Sequence, residues 1–370
     1  MIKKIASFWI AVFCFFLPVG LLANPVLKQS VDKIQNYEFG EAQTLLTQGD
    51  IPEPIRAFYL LNTKYMEMKI NGHYKKANAF LDEEIEKTKP LFEASLHEAS
   101  SETRMLLMYY GALLGLKAQV YMAESKYLQG YYYGYRGVQK VKSAYESDST
   151  LTDALLAIGT YEFYSGIMAQ HYHAVGLIVN TEKAIQKGID CFRQVWEKGD
   201  LSKAEAGFLL LLINTYEIKN YDEAIHVGKR LVMDYPGNLE NRALTIEALL
   251  LSHHFEEAEN LLAEYDRYTT WLSNQGKKVW MLRKTYLEGV YAMEKEDYTL
   301  AKTLLKEVIN TYCFEFQWQK NRAYLMLGQM ADLEGDHKTA QQYYQQIIDS
   351  KETTRAVLDA KNYIKNPYTR

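Results

Sequence analysis

Apolar residues recur along this chain at three- and four-residue spacing, interrupted by short polar turns. In "KNYDEAIHVGKRLVMDYPGN", residues 219–238, an aromatic, two polar residues and an alanine lead into an apolar stripe that a Pro-Gly pair stops. This pattern predicts one short amphipathic helix, which cannot bury its apolar face alone. The same opening, aromatic-x-x-Ala, returns at Phe39/Ala42, Tyr74/Ala77, Tyr221/Ala224, Phe255/Ala258 and Tyr298/Ala301, and as His337/Ala340. Ala42 and Ala77 are 35 residues apart and Ala224 and Ala258 are 34 apart; the later gaps are 43 and 39. A period of this length predicts an array of helix pairs stabilised by stacking on their neighbours.

The pattern resembles the tetratricopeptide repeat. One unit starting at Glu205 carries Leu212 on its first helix, Ala224 and Gly228 on its second, and closes with Pro236. A later unit at Leu282 carries Gly289 and Ala301, and one at Asn321 carries Gly328, Ala340 and Tyr344. The family's small residue on the first helix is absent from the two middle units. The resemblance implies an all-α superhelical solenoid of antiparallel helix pairs, about eight hairpins, with glycine and alanine where helix backbones approach. It also implies a concave groove lined by first helices. Its groove positions fall on Leu209, Ile213 and Tyr216, then Glu240, Ala243 and Glu247, then Arg283, Tyr286 and Val290, then Arg322, Leu325 and Gln329. Tyr216, Glu247, Arg283, Tyr286, Arg322 and Gln329 are the expected partner-binding set. On the resemblance, Arg283, Tyr286 and Arg322 would make a polar-aromatic patch suited to backbone carbonyls or a carboxylate.

Between Ala77 and Ala224 the repeat is divergent, and helical periodicity continues as two longer hairpins. The expected layout is N-terminal repeats over 24–95, longer hairpins over 96–200, the best repeats over 201–352, and a capping helix and tail over 353–370. The stretch 164–180 reads as a loop or lid, and 269–280 accounts for the 43-residue gap. "YLQGYYYGYRGVQKVKSAYE" puts Gly130, Gly134, Gly137 and Ala144 on one helix side, with Tyr127, Tyr131, Tyr135 and Val138 beside them. Glycine costs a helix about 1 kcal/mol relative to alanine, so this face reads as a tight helix crossing. A tyrosine-lined pocket is the alternative. This helix and "ALLAIGTYEFYSG" also resemble the middle of the tetratricopeptide-39 family, which would imply a helical adaptor.

Composition changes the picture in two places. Of 370 residues, 7 are proline, and Pro236 is the only one between Pro90 and Pro367, which favours helix throughout. Tyrosine is abundant, 30 residues against 14 Phe and 5 Trp, so half-exposed aromatic surfaces are expected. That supports a second reading, an exported glycan-binding protein with Tyr131, Tyr132 and Tyr133 as platform and Trp271 and Trp280 as further stacking rings.

Residues 1–23 join Lys3 and Lys4 to an apolar run and end at Pro18 to Ala23, the pattern of an export signal cut after Ala23. An uncleaved anchor is the alternative. The expected location is the periplasm of a bacterium or outside the cell, with no membrane span after cleavage. Loss of Lys3 and Lys4 takes the formal charge from −4 to −6, without a basic block, so nucleic acid is not an expected partner. Cys14 lies in the signal. Cys191 and Cys313 show no metal spacing and read as buried free thiols, or as one bridge.

His171 and His173 stand at i, i+2 without a third ligand, so neither metal nor cofactor is expected. No phosphate loop, Gly-x-Ser-x-Gly or His-Glu-x-x-His occurs. The sequence therefore reads as a non-enzymatic scaffold for a protein or peptide, with oligomeric state left open.

Overall fold

The computed structural model describes residues 24–97, 103–124, 126–171, 180–350, 352 and 354–370. The expected signal at 1–23, Cys14, His173 and the side chains of Tyr127 and His171 lie outside the described part. Among the described residues the chain is all-α, with 17 α-helices and no strand, and consecutive helices pack pairwise. It divides between Leu210 and Leu211 into two compact units.

The first unit holds α1 (Pro25–Gln35), α2 (Phe39–Gln48), α3 (Glu53–Ile70), α4 (Tyr74–His97), α5 (Thr103–Ala123), α6 (Tyr127–Ser147), α7 (Ala154–His171) and α8 (Thr181–Lys198). The division falls within α9 (Lys203–Ile213), which runs on into a π turn at Asn214–Ile218. The second unit continues with α10 (Tyr221–Asp234), α11 (Leu239–Leu251), α12 (Phe255–Ala263), α13 (Asn274–Glu294), α14 (Tyr298–Asn310), α15 (Trp318–Leu333), α16 (His337–Asp349) and α17 (Arg355–Tyr363).

Every aromatic of the repeated motif, and His337, is the first residue of the second helix in its pair. Each motif alanine, three residues on, is 0–1% exposed. Two residues before each aromatic stands a left-handed residue: Tyr37, Gly72, Lys219, His253, Glu296 and Gly335. Five of these six turns carry the paired hydrogen bonds of a Schellman ending, such as His253 N–H to Leu250 and His254 N–H to Leu249. Asn220, Asp297 and Asp336 then cap the next helix through their side chains. Only two of the six left-handed positions are glycine, so the turn is invisible to a search for glycine stops.

The small residues work differently in the two units. In the first, glycines bring backbones together. A Cβ on Gly137 of α6 would lie 2.6 Å from the Gly111 carbonyl oxygen of α5, and one on Gly188 of α8 would lie 2.7 Å from that of Gly159 in α7. In the second unit, Gly289 and Gly328 do not bring backbones together as the repeat resemblance implied. They receive side chains, Leu305 against Gly289 and the Tyr344 ring against Gly328.

The expected loop at 164–180 is helical as far as His171. Tyr164, Ile167, Met168 and Ala169 are buried there, and Gly166 sits against Ile185 of α8. The remainder, 172–179, lies outside the described part. Cys191 and Cys313 are both free thiols, Cys191 buried. No described helix is long and apolar enough to cross a membrane.

Candidate functional site

In the second unit, alternate helices adjoin as well as consecutive ones: α11 touches α13, and α13 touches α15. This layer brings five of the six expected partner-binding residues to one point. Glu247 of α11 is at its centre and fully buried. Its Oε2 accepts the Tyr216 hydroxyl at 2.6 Å and lies 3.7 Å from Arg283 Nη2. Its Oε1 accepts the Tyr286 hydroxyl at 2.7 Å and Arg322 Nε at 3.1 Å. Arg322 Nε is also shared with the Tyr286 hydroxyl at 3.1 Å.

Cation–ring contacts complete the cluster. The Arg322 guanidinium lies 4.2 Å from the Tyr216 ring centre, and that of Arg283 lies 5.3 Å from the Trp318 ring. With the Gln319 amide oxygen turned toward Arg283, it accepts from Nε at 3.2 Å and also from Nη1. Glu240, two turns before Glu247, adds its field to Arg283. Burial opposes the charge on Arg322, but Tyr286 and Glu247 outweigh it and hold its pKa above the ordinary guanidinium value. Burial, then the nearby Glu247 charge, pushes the Tyr216 and Tyr286 phenols upward. The cluster is therefore two guanidiniums and two neutral phenols arranged around one carboxylate.

The row expected to line a groove is largely interior. Arg283, Tyr286 and Tyr216 are buried, as are Leu209, Ile213, Ala243, Val290 and Leu325. Arg322 reaches the surface, with 15% of its side chain exposed. Gln329 stands apart, half-buried, hydrogen-bonded to Tyr363 of α17. Trp318 and Gln319 are cluster members that sequence reasoning missed; they lie four and three residues before Arg322, one turn back on α15.

The aromatic platform lies in the first unit, on α6. Tyr131 and Tyr132 are exposed, whereas Tyr133 is half-buried with its ring 5.3 Å from Tyr121. Three consecutive helical residues point about 100° apart, so they cannot make one surface. Tyr135 takes the third place, its ring near-parallel to Tyr131 at 6.3 Å; i, i+4 spacing was the signal for it. Trp271 is exposed but Trp280 is buried, which removes Trp280 as a stacking surface.

Elsewhere, buried carboxylates hold helix ends. Asp153 accepts the backbone N–H groups of Asp200 and Ser202 at 3.0–3.2 Å, and burial raises its pKa to about 6. In the second unit burial lifts Glu217 and Glu352 to about 7, the former near the Arg355 backbone and the latter accepting from Asn321 at 2.9 Å. Unfolded, a glutamate titrates near about 4.3. Between those values the folded chain binds more protons than the unfolded one, so stability rises as pH falls through about 7. Melting temperature is expected to climb between about pH 8 and about pH 5, and Glu217→Gln with Glu352→Gln should flatten the climb. A melting temperature that falls over that interval would contradict the assignment.

No group of three or more His, Cys, Asp or Glu among the described residues is placed to hold a metal. No family model matches the chain, and no curated protein matches it in sequence.

Proposed function

We propose that this chain is an exported, tetratricopeptide-like superhelical scaffold of about eight hairpins that binds a protein or peptide partner and acts by binding rather than catalysis. The observation that carries this reading is the convergence of Tyr216, Glu247, Arg283, Tyr286 and Arg322 from successive first helices. Stacked repeats address an extended ligand with about one contact set per unit. A cluster joining those units fixes the spacing of the surface positions around it. Arg322 and Gln329, the members that reach solvent or stand half-buried on α15, are the contact positions in this reading.

The test is affinity capture by the mature chain beside Arg322→Lys and Gln329→Ala, with folding checked by circular dichroism. A captured partner should bind about tenfold more weakly to the double variant, as for an interface anchor. Undiminished binding removes the α15 contact surface. Failure to retain any protein removes the scaffold reading.

A further inference from the structure

Among the described residues, four of the nine exposed large apolar side chains lie close together on α6: Leu128 at 64%, Tyr131 at 54%, Tyr132 at 52% and Tyr135 at 44%. Their rings are held in place. Tyr131 is stacked on Tyr135 and hydrogen-bonded to Tyr161 of α7. The Tyr132 hydroxyl accepts Arg136 Nη1 at 3.1 Å, and its ring meets Tyr133 edge-on at 5.3 Å. Ordered aromatic side chains lose little further freedom on binding, which favours them as contact anchors.

The charge around this face is one-sided. Residues 126–145 contain four basic side chains, Lys126, Arg136, Lys140 and Lys142, and no acidic one. Lys126 is paired with Glu124 and Lys142 with Glu162. Arg136 and Lys140 contact aromatic rings instead, Lys140 lying 4.6 Å from the Tyr110 ring centre. Burial, and then the like charge of Arg136, lowers the Lys140 pKa, while Glu93 opposes this from a distance. Carboxylates on adjoining elements are already engaged: Asp82 and Glu86 by Lys117, Glu93 by the Tyr110 hydroxyl, and Glu162 by Lys142 and Lys187.

We propose that the α6 face of Leu128, Tyr131, Tyr132 and Tyr135, with Arg136 and Lys140 along one flank, docks an acidic peptide segment of a partner protein that carries apolar or aromatic anchors. Tyrosine and arginine dominate such contacts, and an anion arriving here relieves the repulsion between two neighbouring cations. Leu128 favours peptide over sugar, because an exposed aliphatic side chain gains more from an apolar anchor than from a hydroxylated ring. This site is in the first unit and does not depend on the α15 contacts proposed above.

The probes are a short labelled peptide repeating Glu-Glu-Trp-Leu, its Lys-Lys-Trp-Leu twin, oligogalacturonate and cellohexaose. Each is titrated by fluorescence anisotropy or calorimetry into the full chain, Tyr132→Ser/Tyr135→Ser and Arg136→Gln/Lys140→Gln. The acidic peptide should bind at least about tenfold tighter than its basic twin at low salt. Both double variants should lose that binding while keeping the parent melting temperature. Equal binding of the two peptides, binding untouched by the variants, or no peptide binding overturns the proposal. Oligosaccharide binding without peptide binding would make α6 a glycan platform. A concentration-dependent dimer abolished by the variants, again without peptide binding, would make it a self-docking face.

Discussion

Glu247→Ala is expected to lower the stability of the second unit by about 3–5 kcal/mol, the cost of breaking a buried ion cluster from one side. The loss is large because Glu247 is the shared acceptor for Tyr216, Tyr286 and Arg322 and the nearest carboxylate partner of Arg283. Without it, two guanidiniums are left without their shared counter-charge in a largely buried site and two hydroxyls lose their acceptor. Glu247→Gln keeps the volume and one acceptor oxygen but turns an amide N–H₂ toward donors, so it should fall between wild type and alanine. Trp318 lies against Tyr216 and Arg283, so its fluorescence reports the cluster directly during urea unfolding. An unchanged urea midpoint for the alanine variant would mean that the cluster adds nothing to the stack.

The second large effect belongs to one glycine and is sharpened by its neighbour. Gly137→Ala is expected to destabilise the first unit by about 1–3 kcal/mol, since the added carbon would lie 2.6 Å from a carbonyl oxygen that cannot move without its helix. Gly134→Ala, three residues earlier, meets only the Ala118 Cβ at 3.6 Å. There the ordinary helix preference applies, and the variant should gain about 0.5–1 kcal/mol. The two melting temperatures should therefore move in opposite directions. If both rise, α5 and α6 are not in backbone contact at this crossing.

These cases show where the sequence was legible. The aromatic-x-x-Ala spacing placed the start of six second helices, because an alanine that must meet a neighbouring helix and an aromatic covering the turn are local, periodic demands. The glycine-rich α6 was likewise readable as a tight crossing, since several helix-weakening residues on one side need a compensating close approach. The left-handed turn residues were not readable, because Tyr37, Lys219, His253 and Glu296 adopt that conformation through Schellman hydrogen bonds or the end of a π turn. Nor was Tyr133 distinguishable from Tyr131 and Tyr132 until Tyr121 was placed against it.

The groove residues mark the boundary most clearly. Position along the repeat put Tyr216, Glu247, Arg283, Tyr286 and Arg322 on one layer, and the structure brings them within hydrogen-bonding or ion-pair reach. Whether that layer is open or closed depends on the separation of neighbouring first helices. The sequence by itself determined most of the helices, their pairing and the polar character of this row, since each follows from spacing within one or two turns; the stretch from Tyr164 to His171, expected as a loop, is the exception. Only the tertiary structure decided that Glu247 is sealed inside while Tyr131, Tyr132 and Tyr135 face solvent. Burial is set by what distant segments bring against a side chain, and no local pattern carries that information.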